Sequence, residues 1–390
     1  MILPRTAIDD LGQTATATTT FVEYDIVLGV RSPAPHRPVA DIEIISEQLL
    51  PIKIGDAPSR LRFDHSVAWR KSVLKGGRGN PLISTETTPG GTNVKRHQDG
   101  KSGRAAGLST ASLPRTVLSS ATASESPTAL VVKREMESWR LLQLEPSHLR
   151  EPADYYAPEE LDPSGRYLPA LLHRLDRSDL PDEPGATLAS LANRLSELVR
   201  ETRAIGIDRD DARQQTTLHL SDMSGGRYPA RALSDGTLRF LALLALDLDP
   251  AASSLLCLEE PENGIHPERI PRILSLLEQM PTDTSEEVGE ANPLRQVIIN
   301  THSPLVVGGT GVDDLIVVRL RRYPRSGSHP KLPQFLGCEG SWRARAGAET
   351  VSKREVSRYI GAEPHDDTAS RARVTVGERY RTGDLFVDAA

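Results

Sequence analysis

The stretch Leu255-Leu256-Cys257-Leu258-Glu259-Glu260-Pro261 constrains the fold more than any other part of this chain. Four apolar residues are too few for a helix and suit a strand buried on both faces of a sheet. Pro261 cannot continue a central strand, so Glu259 and Glu260 stand where the strand stops. In parallel α/β sheets, ligands bind just beyond the carboxyl ends of the strands. Two adjacent carboxylates delivered there can divide the work. One can hold a hard cation such as Mg²⁺, which takes oxygens from one or two carboxylates plus phosphates. The other can orient or deprotonate a water. The same string can also be an idle, solvated strand end, and its neighbours decide between the two.

Upstream, Ala232-Leu233-Ser234-Asp235-Gly236-Thr237 leads into LRFLALLALDL, an apolar helix of about eleven residues. Ser234 and Asp235 are good N-cap residues. A helix N-terminus beside glycine presents backbone N–H groups that bind phosphate, although an ordinary capped core helix carries the same signature. Downstream, Glu262-Asn263-Gly264-Ile265-His266-Pro267 precedes a helix to about Met280, and residues 281–292 read as an acidic loop. Gln296 to Asn300 is a second buried strand ending in Thr301-His302-Ser303-Pro304, which places His302 at a strand terminus. Asp314 to Leu320 is a further candidate strand.

The amino-terminal half is patterned differently. Phe21–Val30 and Val39–Ile54 alternate apolar and polar residues as half-buried antiparallel strands do, and Arg60 to Leu74 is read as another pair. Residues 76–128, dense in Gly, Ser, Thr, Pro and basic side chains, read as a flexible insertion. Gly100-Lys101-Ser102 within it is not a phosphate-binding loop. Lys95 stands where G-x-x-x-x-G-K-[ST] requires its first glycine, and a polar loop precedes it instead of a strand. Val131 to Leu144 returns to ordered structure, Leu161 to Arg203 is helical, and Thr216 to Met223 is a strand followed by a turn at Gly225-Gly226. Beyond Arg321 the pattern is weak, apart from a short helix at Val351 to Ile360. The acidic group Glu363, Asp366 and Asp367 has no buried strand beside it to support a nuclease centre.

Composition sets outer limits. A chain of 390 residues with 38% apolar and 26% charged residues can bury a full core and carry two or three domains. Lys+Arg 47 against Asp+Glu 53 excludes neither ATP nor nucleic acid as a partner, and residues 51–150 hold about twice as many basic as acidic side chains. Two cysteines, Cys257 in the apolar run and Cys338, make no disulfide framework or zinc site and point to a reducing cytoplasm. With no apolar stretch of membrane-spanning length, no membrane partner is expected.

Taken together and in order, LSDGT, LLCLEEPENGIHP and THSP resemble the head domain of the ATP-binding-cassette class. The likeness is closest to the chromosome-maintenance, RecF-like and AAA-type-core ATPases of bacterial genome maintenance and phage defence, over about residues 20–320. The resemblance implies an α/β, P-loop NTPase fold with an antiparallel β subdomain and a helical lobe. It implies ATP as ligand, Mg²⁺ as cofactor and a homodimer formed on ATP binding, with DNA and an effector protein as further partners. By the same likeness Glu259 coordinates Mg²⁺, with Gln143 linking metal to lobe, Glu260 polarises the attacking water, and His302 contacts the γ-phosphate. Ser234, Asp235 and Gly236 would complete a partner's nucleotide site, and Asn263 and Gly264 would lie in the dimer-contact loop.

The domain plan that follows is an antiparallel β part at 1–75, a flexible insertion at 76–128, a strand plus helical lobe at 129–215, and the signature, carboxylate and histidine core at 216–320. A tail of no assigned role occupies 321–390. One departure stands out: the family opens with a strand, a phosphate-binding loop and a helix, and this sequence reads as N-terminally incomplete, starting just after them. A misplaced start, a fragment or a true loss would each explain that. The alternative to an ATP-hydrolysing head is a nucleotide-deficient, non-catalytic fragment or partner-binding module that keeps the ATPase fold.

Overall fold

The computed structural model describes residues 1–31, 41–76, 79–99, 106–178, 185–249, 254–323 and 331–361. Gly100-Lys101-Ser102 and the acidic group at 363–367 lie outside the described residues. The chain divides into two compact units. One comprises Met1–Trp139 with Thr282–Leu294, the other Arg140–Pro281 with Arg295 onward.

The first unit is built on a five-stranded sheet. A small antiparallel pair, β1 (Thr6–Ile8) and β2 (Thr14–Thr16), precedes the long antiparallel strands β3 (Val22–Arg31) and β4 (Asp41–Pro51). Helices α1 (Ala57–Arg60) and α2 (Val67–Val73) follow, then β5 (Ile83–Thr88), β6 (Gly91–Arg96), β7 (Ala106–Ser109) and α3 (Pro127–Ser138). The sheet order is β3-β4-β5-β6-β7.

Two expectations are corrected here. Residues 60–74 contribute the helix α2 rather than a strand pair. Ser66 caps it by accepting the Trp69 N–H at 2.9 Å, and Trp69 and Val73, one helical turn apart, are buried with Phe21 and Ala57. The described parts of 76–128 are likewise no flexible insertion. Ile83 and Val94 on β5 and β6 are fully buried. The wholly buried carboxylate of Glu47 on β4 accepts the N–H groups of Val117 at 2.7 Å and Leu118 at 2.8 Å, fixing that segment to the sheet. The Tyr24 hydroxyl also donates to Glu47, at 3.2 Å, and burial with the neighbouring charge raises its pKa above the usual phenol value. The acidic loop, of which Thr282–Leu294 belongs to this unit, is also ordered: the Val288 N–H donates to Ser72 Oγ at 3.0 Å.

The second unit carries β8 (Arg140–Leu142), α4 (Pro146–Leu149), β9 (Ala153–Asp154), α5 (Leu168–Arg177) and α6 (Ala186–Ser196). Then come β10 (Thr202–Asp210), β11 (Gln215–Asp222), β12 (Arg227–Pro229), α7 (Asp235–Leu248), β13 (Leu255–Glu259), α8 (Ile270–Gln279), β14 (Gln296–Asn300) and α9 (Pro304–Gly309). β15 (Val317–Arg322), β16 (Lys331–Cys338), α10 (Trp342–Arg345), β17 (Thr350–Val351) and α11 (Lys353–Ile360) complete it. Among the described residues these strands form three sheets: the parallel β14-β13-β8, an antiparallel group β10-β11-β12 with β9 paired to β11, and β15-β16-β17.

Helix α7 is apolar on nearly every side and buried on nearly every side, with Leu238, Leu241 and Leu243 fully enclosed. It shares one core with Leu256 and Leu258 of β13, Ile273 of α8 and the leucines of α5 and α6. That core covers one face of the parallel sheet. On the other face Cys257 is only half-buried, and its registered neighbours Leu141 and Ile298 remain 66% and 49% exposed. β13 is therefore buried on one face, not both. β10, which begins where the helical reading stops and runs through residues that carried no assignment, and β16 and β17, in the weakly patterned tail, are strands that pairing rather than local pattern defines. The tail segments enclose a small core of Val307, Leu336, Cys338, Val351 and Val356, where burial pushes the Cys338 thiol up to about 11.

Candidate nucleotide site at the edge of the parallel sheet

Strand register places the predicted residues. β13 pairs with β14 from Leu255 opposite Gln296 to Glu259 opposite Asn300, and with β8 up to Leu258 opposite Leu142. All three strands are parallel, so Gln143, Glu259 and Asn300 emerge level at one edge, with His302 two residues further on. Glu259 and His302 are exposed and Glu260 is half-buried. Gln143 is held by its own N–H, which donates to the Pro163 carbonyl at 2.7 Å.

The chain turns sharply at Glu260. Its φ of 43° lies in the left-handed region, which a glutamate occupies at a cost of about 1–3 kcal/mol. Both backbone groups are fixed: the N–H donates to Asn300 O at 2.8 Å, and the carbonyl accepts from Asn263 N–H at 3.0 Å.

The amino end of α7 is built as its sequence implies. Ser234 Oγ accepts the Thr237 N–H at 3.2 Å, and Arg150 donates to the Leu233 carbonyl at 2.9 Å and to Asp235 Oδ1 at 2.6 Å. This helix start lies against the loop after Glu260 in the same chain. A β-carbon on Gly236 would sit 3.3 Å from Ile265 Cγ1 and 3.4 Å from the Gly264 carbonyl, and one on Gly264 would sit 3.5 Å from Asp235 Cβ. Gly236 is thus buried within its own chain, while Ser234, Asp235, Asn263 and Gly264 are exposed.

Several residues of the site were not singled out from sequence. Arg239 and Glu262 are each only 8% exposed. Arg239 Nη1 donates to the Asn263 carbonyl, and Thr301 Oγ1 donates to Glu262 Oε1. Burial lowers the Arg239 guanidinium below its usual pKa, against the opposing charges of Glu145, Asp235, Glu260 and Glu262. The Tyr359 hydroxyl of α11 donates to the His302 carbonyl at 2.7 Å. A signal for Arg239 existed: it is a cation inside an apolar helix, which demands a polar partner. Thr301 and Tyr359 gave no comparable local signal.

The donor set suits Mg²⁺. Glu259 and Gln143 offer hard oxygen ligands at one edge, and Mg²⁺ is ordinarily shared between one or two such groups and phosphate oxygens. Among the described residues no group of three or more His, Cys, Asp or Glu is placed to cage a metal without such help.

A family profile described as "AAA domain, putative AbiEii toxin, Type IV TA system" matches residues 91–308, more than half of the chain. The chain belongs to this family. An AAA-domain protein with a parallel sheet ending in these motifs has a P-loop NTPase-type ATPase core. No curated protein sequence matches the chain. Among solved structures, it is similar to the Smc head domain with a coiled coil and joint from Pyrococcus yayanosii, at 12% identity and a TM-score of 0.27, covering 40% of this chain and 27% of that one. It is also similar to the Pyrococcus furiosus Smc head domain with an extended coiled coil bound to the C-terminal domain of ScpA, at 9% identity and a TM-score of 0.24, covering 38% and 34%. The chain spans about a third or less of those chains. Among the described residues of this AAA-domain protein, no helix is long and apolar enough to cross a membrane.

Proposed function

We propose that the protein is an ATP-binding and ATP-hydrolysing head that dimerises around nucleotide. One observation carries this reading: three parallel strands end level, bringing Gln143, Glu259, Glu260 and the His302 loop to one edge, with Glu260 in a left-handed conformation. Glu259 and Gln143 hold Mg²⁺, which when bound neutralises charge on the phosphates. Glu260 orients and polarises the attacking water, and His302 contacts the γ-phosphate. The exposed Ser234 and Asp235 at the start of α7 complete the site of a second copy, with Asn263 and Gly264 at the contact between the two. Gly236 acts by letting the helix start approach Gly264 closely. The task served is DNA maintenance or phage defence, with DNA and an effector protein as partners. That setting rests on the likeness of the motifs.

The test uses the protein as its gene encodes it, with any residues upstream of Met1. Wild type is expected to hydrolyse Mg-ATP, and Glu260→Gln to lose roughly 10²–10⁴-fold in kcat while still binding ATP. Equal rates remove Glu260 from the water-orienting role. A wild-type protein that binds no nucleotide is instead the non-catalytic, partner-binding module.

A further inference from the structure

We propose that Glu262 and Thr301 are positioning residues that set the Glu260 turn and the His302 loop as a single unit. The proposal rests on the ATPase reading above and deepens it. Glu260 lies two residues before Glu262, and His302 directly follows Thr301. The backbone ladder between the two strands stops at the bond from Glu260 N–H to Asn300 O. Beyond it, the bond from the Thr301 hydroxyl to Glu262 Oε1 continues the connection through side chains. Thr301 Oγ1 also accepts the Ser303 N–H at 2.9 Å, so one hydroxyl fixes both the partner loop and the backbone that carries His302.

The burial of Glu262 argues against an incidental contact. The side chain is 8% exposed, and its second oxygen, Oε2, has no hydrogen-bond partner among the described residues. A buried carboxylate with one bare oxygen costs stability, and an apolar residue of similar size would avoid that cost. Arg239, equally buried, donates to the Asn263 carbonyl next door and leaves its own Nε without a partner among the described residues. The segment 262–263 is therefore gripped from α7 on one side and from Thr301 on the other by charged or hydroxyl groups in a sparsely satisfied pocket. Such groups are retained where they fix a geometry. The geometry at stake here is the separation between the water-orienting carboxylate and the γ-phosphate contact, where displacement by about 1 Å can cost 10²-fold in rate.

The experiment compares kcat and KM for ATP in Thr301→Val, which removes the hydroxyl at nearly constant shape, Thr301→Ser, which restores it, Glu262→Ala, and the double variant Glu262→Ala/Thr301→Val. Thr301→Val is expected to lose ten- to hundredfold in kcat with KM within about twofold of wild type, and Thr301→Ser to recover most of the loss. The double variant should fall no further than Glu262→Ala, because both remove the same bond. Amide exchange at Ser303 should rise in Thr301→Val and return to the wild-type rate in Thr301→Ser. A wild-type kcat in Thr301→Val overturns the proposal. So do additive losses in the double variant, or losses that follow the melting temperature and are not recovered by serine. Glu260→Gln, run in parallel, separates the two readings. If it is inactive while Thr301→Val is fully active, only the positioning role fails; if it is as active as wild type, the ATPase reading fails and takes this one with it.

Discussion

The amide of Glu260 donates to the carbonyl of Asn300 at 2.8 Å, one step past the last registered pair of the two parallel strands, Glu259 and Asn300. That bond holds a glutamate in the left-handed region and brings the end of one strand level with the histidine loop of the next. The strain and the proposed chemistry therefore sit on the same residue, which makes them separable by mutation.

Glu260→Gly should stabilise the fold by about 1 kcal/mol, because glycine enters the left-handed region without steric penalty. It should abolish hydrolysis as well. Glu260→Gln keeps the strain and should melt where wild type does. Denaturant unfolding of the three proteins checks this, and a glycine variant less stable than wild type would show that Glu260 is not strained.

Gly264 has φ of 74° and touches Asp235 only at ordinary distance. Gly264→Ala should cost about 1–2 kcal/mol, the price of a left-handed alanine, with no steric addition. An unchanged denaturation midpoint would contradict this.

Ser234 separates a structural from a functional role. Ser234→Ala loses the cap on α7 and should cost about 1 kcal/mol, whereas Ser234→Asp keeps a capping oxygen and should be near wild type in stability. The added negative charge should nevertheless suppress ATP-dependent dimerisation, measured by light scattering. Wild-type dimerisation in Ser234→Asp would remove Ser234 from the partner's site.

Acid should weaken the second unit. Burial lowers the pKa of His219 on β11, with Asp208 opposing and Arg227 adding to the effect, and burial likewise lowers that of His173 on α5. The folded state thus favours the neutral ring, while the unfolded chain takes up protons near pH 6.5. Their contribution is complete above about pH 6.5 and declines as pH falls towards the lower folded values. Urea unfolding at pH 7.5 and pH 5.5 measures the loss, and His219→Gln should reduce the difference between them.

Ile83→Ala tests the order found in residues 79–99 and 106–128. Ile83 is fully buried beside Leu49 and Val94, so truncation should cost about 2–5 kcal/mol. A flexible insertion would tolerate the change without loss.

Which parts were legible follows from where the determining interactions lie. LLCLEEP announced its strand and its ending because a short apolar run and a proline act over a few residues. The capped helix α7 was equally readable, since Ser234 bonds to a residue three positions away. The stretch at 79–109 was not. Its strands are polar and Gly-punctuated, and their order depends on pairing with β4 and on Glu47 bonding to Val117 and Leu118 far along the chain. β16 and β17 escaped notice for the same reason. Glu262 was visible as a third carboxylate in the string, but its partner Thr301 lies 39 positions away.

By itself, then, the sequence determined the strand ends, the helix cap and the order of the motifs, because each is set by the covalent and steric preferences of a few adjacent residues. Only the tertiary structure decided that Gln143, Glu259 and His302 share one edge, that Gly236 is buried against its own chain, and that one face of β13 stays partly open. Those facts depend on register and burial, and both arise from contacts between segments that local preference cannot bring together.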